Sequence, residues 1–242
     1  MKERPILFSG AMVRALLDGS KTQTRRVVKA KPSDECPKEM WPHALKDIIE
    51  WREQKGRWFG LMGWRSLAYA DCPYGKPGDR LWVREAWRVG KPHDETPPRD
   101  ILPPLIERGQ GVTVLYEAGG WRSVGPAGRD EPNYPANTPM PEWAGKLRPS
   151  MFMPRAFSRI TLEVTDVRVE RLQDISEADA RAEGVERDTE PCDHIRQSCE
   201  DIGCLGQTHK ASFCNLWCDL NGIPSWMKNP YVWVVEFKRV EQ

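Results

Sequence analysis

No stretch of this 242-residue chain stays apolar for anything near the ~20 residues that a membrane-spanning helix needs. Near its start the longest apolar run is Ile6-Leu7-Phe8, and Arg14 and Asp18 break up the residues after it, so the first twenty residues do not read as a secretion signal. Net charge is missing too. The 36 Lys and Arg are nearly balanced by 35 Asp and Glu, so the chain as a whole gives no electrostatic sign of a nucleic-acid partner. Any basic surface has to be local, and cations gather at Lys21–Lys31 and Arg155–Arg159. No internal repeat is visible, which argues against a solenoid or propeller. The 7 cysteines are an odd number and cannot all pair within the chain. The expectation is a cytoplasmic protein with no membrane partner, its thiols free or on metal.

What is present suffices for a core, since 39% of the residues are hydrophobic and 29% charged. Pro5 to Phe8 reads as a short strand. Ser9 caps a helix with Met12, Ala15 and Leu16 at helical spacing, and Gly19 stops it. Thr22 to Val28 reads as a strand, with Thr22, Thr24 and Arg26 on one face and Gln23, Arg25 and Val27 on the other. Residues 31–70 fit no single period, with a helix expected over Asp47 to Gln54. The turn Pro77-Gly78-Asp79 launches a strand from Arg80 to Trp87, whose apolar face is broken only by Glu85. Residues 91–154 hold 12 of the 21 prolines and read as an irregular insertion around one strand, Val112 to Glu117. A long strand from Ser158 to Leu172 changes parity near Asp166. Ser176 caps a short helix that ends at Gly184, Ala211 to Leu220 forms another, and Val232 to Val240 closes the chain as a strand. Strands and helices do not alternate regularly, which predicts a mixed or antiparallel α+β barrel, one domain over residues 1–242.

The densest chemistry lies in Lys21 to Arg26: one amine, two hydroxyls, one amide and two guanidiniums in six residues. Gly19-Ser20-Lys21-Thr22 invites comparison with a phosphate-binding loop. The spacing rules this out, because Ser20 rather than glycine precedes Lys21 and the run leads into a strand. A basic solvated turn is the plain reading. The other is a pocket in which Lys21, its pKa lowered by burial or by nearby cations, acts as base toward the Thr24 hydroxyl.

The run Gly19-Ser20-Lys21-Thr22-Gln23-Thr24-Arg25-Arg26, behind a strand and a short helix, resembles the G-x-K-T-x-T-x-R signature of the ASCH domain family. Pro77 to Glu85, Ser158 to Val164, Ile175 to Val185 and Val232 to Val240 come after it in that family's order, and the layout is most similar to its longer phage and prophage members. Insertions at about 31–70 and 91–154 and a Cys/His-rich loop at 186–210 depart from it. The resemblance implies a PUA-like mixed β-barrel with flanking helices, and a cleft for RNA, a modified nucleoside or modified DNA. One branch of the family removes the acetyl group of N4-acetylcytidine with a lysine base, a threonine nucleophile and a glutamate acid. Those roles fall on Lys21, Thr24 and Glu183, and Glu85 competes for the last. Other branches are read as RNA binders or single-strand nucleases that use lysine and arginine of the same cleft, which points to Lys21, Arg25 and Arg26; Arg84, Arg155 and Arg159 would suit a polynucleotide backbone, with Trp64, Trp82 and Trp121 as stacking candidates.

A second constellation is independent of this. Cys192, His194, Cys199 and Cys204 place four soft or borderline ligands within thirteen residues of a polar loop, which points to a structural zinc with no open coordination position.

Overall fold

Strand β1 (Glu3–Leu7) leads to Ser9, whose hydroxyl accepts the Met12 amide and caps helix α1 (Gly10–Leu17). Val13, Ala15 and Leu16 form its buried side. Gly19 comes next at φ +85°, a left-handed conformation that glycine adopts without strain. The chain continues through β2 (Gln23–Val27), β3 (Lys31–Pro32), α2 (Trp41–Asp47), β4 (Glu50–Gln54), β5 (Arg57–Met62), β6 (Arg65–Ala70), β7 (Arg80–Arg84), β8 (Trp87–Arg88) and α3 (Pro103–Glu107). Then come β9 (Val112–Tyr116), β10 (Trp121–Val124), β11 (Asp130–Glu131), β12 (Thr161–Arg171), α4 (Glu177–Ala182), α5 (His209–Asn221), α6 (Ile223–Met227) and β13 (Tyr231–Val240). This computed structural model describes residues 1–126, 130–131, 140–187 and 208–240.

The class is α+β, rich in sheet, and the chain divides into two units. The first comprises Met1–Ser20, Asp79–Glu163 and Lys238–Gln242. Here β1 runs parallel to β7, and the first residues of β12 pair antiparallel with β7. A separate sheet in the order β11-β10-β9-β8 packs Trp87, Val112, Val114 and Tyr116 with Ile101, Met153 and Phe157 into one core.

The second unit comprises Lys21–Gly78 and Val164–Phe237. In it β13 is flanked by β2 and the remainder of β12. Leu172, Ile175, Ala180, Phe213, Trp217, Val232 and Val234 make its main core. A further sheet, β3-β6-β5-β4, covers a small core of Cys36, Ala44, Ile48, Leu67 and Ala68. Along β12, Thr165 and Asp166 are exposed in succession, the break in alternation expected near Asp166.

Three expectations change. No closed barrel is present among the described residues, whose strands lie in open sheets. Some edges are unsuited to closing: β3 is two residues long and contains Pro32, and β4 exposes Glu50, Arg52 and Glu53. Residues 31–70 hold a helix that ends at Asp47 and then a strand, where a helix was expected over Asp47 to Gln54. Finally, Arg80 to Trp87 is two strands, β7 and β8, separated at Glu85-Ala86.

Candidate active site

The site builds up from a short junction in the second unit. The Ser176 hydroxyl accepts the Asp179 amide at 3.0 Å and starts α4. At the other end of α4 the chain pairs with the entry to β2: Thr22 donates its amide to the Ala182 carbonyl at 2.8 Å, and Lys21 bridges Glu183 in antiparallel fashion. Two residues 162 apart in sequence thereby face each other. The Lys21 Nζ donates to Glu183 Oε2, to the Glu183 carbonyl and to the Gln23 carbonyl, each at 2.8 Å. Both side chains are withdrawn from solvent, at 0% and 4% exposure.

Alternation along β2 turns Gln23 and Arg25 toward the same carboxylates. The Gln23 amide donates to Asp179 Oδ1 at 2.9 Å. Arg25 has no exposed side-chain surface and reaches Glu170 at 3.1 Å, Asp179 at 3.3 Å and Glu183 Oε1 at 3.6 Å. Arg168 adds a third cation, held by Glu170, by Asp179 at 3.1 Å and by Glu236. Cations and carboxylates interleave, so no charge in the cluster is buried alone.

Burial shifts the equilibria. It pushes the Lys21 ammonium below its usual range; the charge and hydrogen bond of Glu183 oppose this, and Arg26 and Arg25 add to it. For Asp179 burial works upward, yet hydrogen bonds from Gln23 and Ser176 and the charges of Arg25 and Arg168 outweigh it, so this carboxyl lies below the usual range. Thr24 is 1% exposed on the other side of β2 from Gln23 and Arg25. Its Oγ1, like Glu183 Oε1, is buried without a hydrogen bond among the described residues. Lys21 therefore hydrogen-bonds to Glu183 and not to Thr24. Glu183 thus keeps one oxygen on Lys21 and leaves the other without a hydrogen bond, while the Thr24 hydroxyl lies on the opposite face of β2.

The other sequence candidates lie elsewhere. Arg26 is half-buried and hydrogen-bonds through its side chain to Tyr74. In the first unit Glu85, 1% exposed, accepts two bonds from Arg159 at 2.8 and 2.9 Å. Arg159 in turn lies 4.0 Å from the centre of the Tyr116 ring. Trp82 is buried, with Arg84 and Arg155 at 4.5 and 5.9 Å from its ring centre. Arg84 also donates to the Met151 carbonyl, and Arg155 pairs with Glu3. Cys192, His194, Cys199 and Cys204 lie outside the described residues. Among the described residues no group of three or more His, Cys, Asp or Glu is arranged to hold a metal, and no helix is long and apolar enough to cross a membrane.

Sequence reasoning missed Glu170, Asp179, Arg168 and Glu236. One signal was available: Arg168 and Glu170 are two apart on a strand, and so share a face. No protein-family model, curated protein or solved structure matches this chain.

Proposed function

We propose that the chain is an amidohydrolase of ASCH type, acting on an N-acylated cytosine-type base or nucleoside, and that its fold is a variant of the PUA-like arrangement with open sheets. The observation that carries this reading is the buried contact between Lys21 and Glu183, the base and acid that the motif implies, at 2.8 Å.

The pair can exchange a proton. With the proton on Glu183, Lys21 is a neutral amine and Glu183 a carboxylic acid, the two forms that amide cleavage needs. On the roles that the motif implies, Thr24 Oγ1 attacks the amide carbonyl carbon and its proton passes to Lys21, which must first give up a bond to the Gln23 or Glu183 carbonyl because it makes none to Thr24. Glu183 then protonates the departing exocyclic amine as the C–N bond breaks, leaving an acyl-threonine, an ammonium and a carboxylate. Water attacks that ester and gives its proton to Glu183. Lys21 returns a proton to the Thr24 oxygen, the carboxylic acid leaves, and the starting forms are restored. Arg25, fixed by three carboxylates, supplies a permanent positive charge near Glu183 throughout.

A non-catalytic binder of RNA or modified DNA, or a single-strand nuclease, would rely on Lys21, Arg25, Arg26, Arg84 and Arg155. Arg25 is spent on buried carboxylates and Arg155 on Glu3, which makes those readings the weaker ones. The test is incubation with N4-acetylcytidine, with cytidine and acetate resolved by chromatography, for wild type, Lys21→Ala and Glu183→Gln. Wild type is expected to release both products in equal amounts and the variants to release neither at a comparable rate. Absence of cytidine from the wild-type reaction would remove this substrate.

A further inference from the structure

A second site lies in the same unit, made of residues that the proposed chemistry does not use. A cavity of ≈ 230 Å³ opens beside the end of β2 and the start of β13, with Trp51, Tyr231 and Val28 among its walls. The two aromatic rings meet edge-on, 5.7 Å between centres, and the Tyr231 hydroxyl donates to the Ile48 carbonyl at 2.7 Å, which fixes the ring. Arg171 stacks on Tyr231 at 3.8 Å from the ring centre. Lys46 and Lys228 complete the lining, and no acidic residue is found among the described residues around it.

These cations are not committed to carboxylates. Among the described residues Arg171 donates only to main-chain carbonyls, those of Asn229 at 3.2 Å and Leu45 at 3.5 Å, and neither lysine forms an ion pair. The indole N–H of Trp51 is buried with no acceptor among the described residues. Uncompensated positive charge around an aromatic floor calls for a ligand with a flat body and a negative end. Three cationic residues in the lining of one pocket suit a phosphate, with its charge of about −1.5 to −2 and three terminal oxygens, better than a single carboxylate. The volume falls below the ~300–1,000 Å³ of pockets for drug-sized ligands, which limits the flat body to one ring system.

We propose that this pocket binds a nucleoside monophosphate, with its base against Trp51 and Tyr231 and its phosphate among Lys46, Arg171 and Lys228. The site is separate from Lys21 and Glu183 and does not depend on the hydrolase reading.

Isothermal titration calorimetry at low salt on the full chain tests it, using cytidine 5′-monophosphate, cytidine and inorganic phosphate as separate titrants. Expected is one molecule of the monophosphate per chain, with each fragment binding at least about tenfold more weakly, the equivalent of ~1.4 kcal/mol. The double variant Lys46→Ala/Lys228→Ala removes only exposed side chains, so its fold is not at stake, and it is expected to weaken the monophosphate about tenfold. Lys21→Ala is expected to leave this affinity unchanged, which separates failure here from failure of the hydrolase. No binding of the monophosphate at millimolar concentration would overturn the proposal. Equal affinity for cytidine would do so as well, and so would a loss caused by Lys21→Ala in place of the double variant.

Discussion

Glu183 and Glu85 are both carboxylates buried against a cation, at 5% and 1% exposure, and they differ in which cation they meet. Glu85 receives a two-pronged guanidinium from Arg159, a group that keeps its proton at any working pH. Arg159 can hold structure together but cannot take up a proton as a base. Glu183 meets Lys21, whose ammonium burial holds below its usual range, and the proposed chemistry passes a proton between them. Ion-pair geometry alone does not separate the two sites. The chemistry of the cation does, along with the buried Thr24 oxygen in the lysine's unit that makes no hydrogen bond among the described residues.

The most severe way to break the comparison is to make the two pairs alike. Lys21→Arg keeps the positive charge and removes the exchangeable proton. Release of cytidine from N4-acetylcytidine is expected to fall by roughly 10²–10⁴, the usual contribution of a general base. A variant that is folded by circular dichroism and retains wild-type turnover would show that Lys21 is not the base. The next effect is on stability and belongs to the other pair. Glu85→Ala leaves Arg159 without its carboxylate and is expected to cost about 3–5 kcal/mol in chemical denaturation. Lys21→Met should cost less, because Glu183 keeps Arg25 at 3.6 Å as a second cation. Equal losses for the two variants would mean that Arg25 gives no such compensation.

Dependence on pH separates the pairs by sign. Folded Lys21 lies below its ordinary value of 10.5, so between the folded value and 10.5 the unfolded chain holds a proton that the folded chain has released. Its contribution to stability therefore rises with pH across that window and is complete above 10.5. Burial raises Glu85 above its ordinary 4.5 despite the hydrogen bond and charge of Arg159, so between 4.5 and its folded value the folded chain holds the extra proton. Its contribution falls as pH rises through that window. Denaturation midpoints of wild type, Lys21→Met and Glu85→Gln across pH would show the two wild-type-minus-variant differences moving in opposite directions. A flat difference for Lys21→Met up to pH 10.5 would contradict the first assignment.

Much of the scaffold around Glu183 was legible because it is local. A serine with an aspartate three residues later, then alanines and Gly184, states where α4 begins and ends, and the alternation of β2 shows which residues share a face. The sheet β3-β6-β5-β4 was not legible. Its first hairpin turns on Lys55-Gly56, both at positive φ, where asparagine or aspartate before the glycine is the recognisable signal. β4 is also almost uniformly polar, so it shows no alternation to read. The partners of Arg25 were illegible for another reason. Glu170 and Asp179 lie 145 and 154 residues away from it, and nothing near either marks it as the partner of a buried guanidinium. Arg25 itself looked like a surface cation, and the structure buries it to 2% exposure.

The smallest effect probes how tightly α4 must hold Glu183. The Ser176 hydroxyl accepts the Asp179 amide at 3.0 Å and donates to Asp179 Oδ2 at 2.9 Å, so it both caps the helix and steadies the carboxylate that binds Gln23 and Arg25. Ser176→Ala is expected to lower stability by about 1 kcal/mol, read as a fall of roughly 2–4 °C in Tm for a chain of this size. Thr208→Ala removes the equivalent cap from α5, where Thr208 accepts the Ala211 amide at 3.0 Å, and should cost a similar amount. The two differ in what they carry: Ser176 leads through α4 to Glu183, and Thr208 does not. Cytidine release is therefore expected to drop for Ser176→Ala and to hold for Thr208→Ala at matched stability. If both caps changed turnover equally, the placement of Glu183 by α4 would have no special part in the chemistry, and the lysine pair would be as structural as the arginine pair.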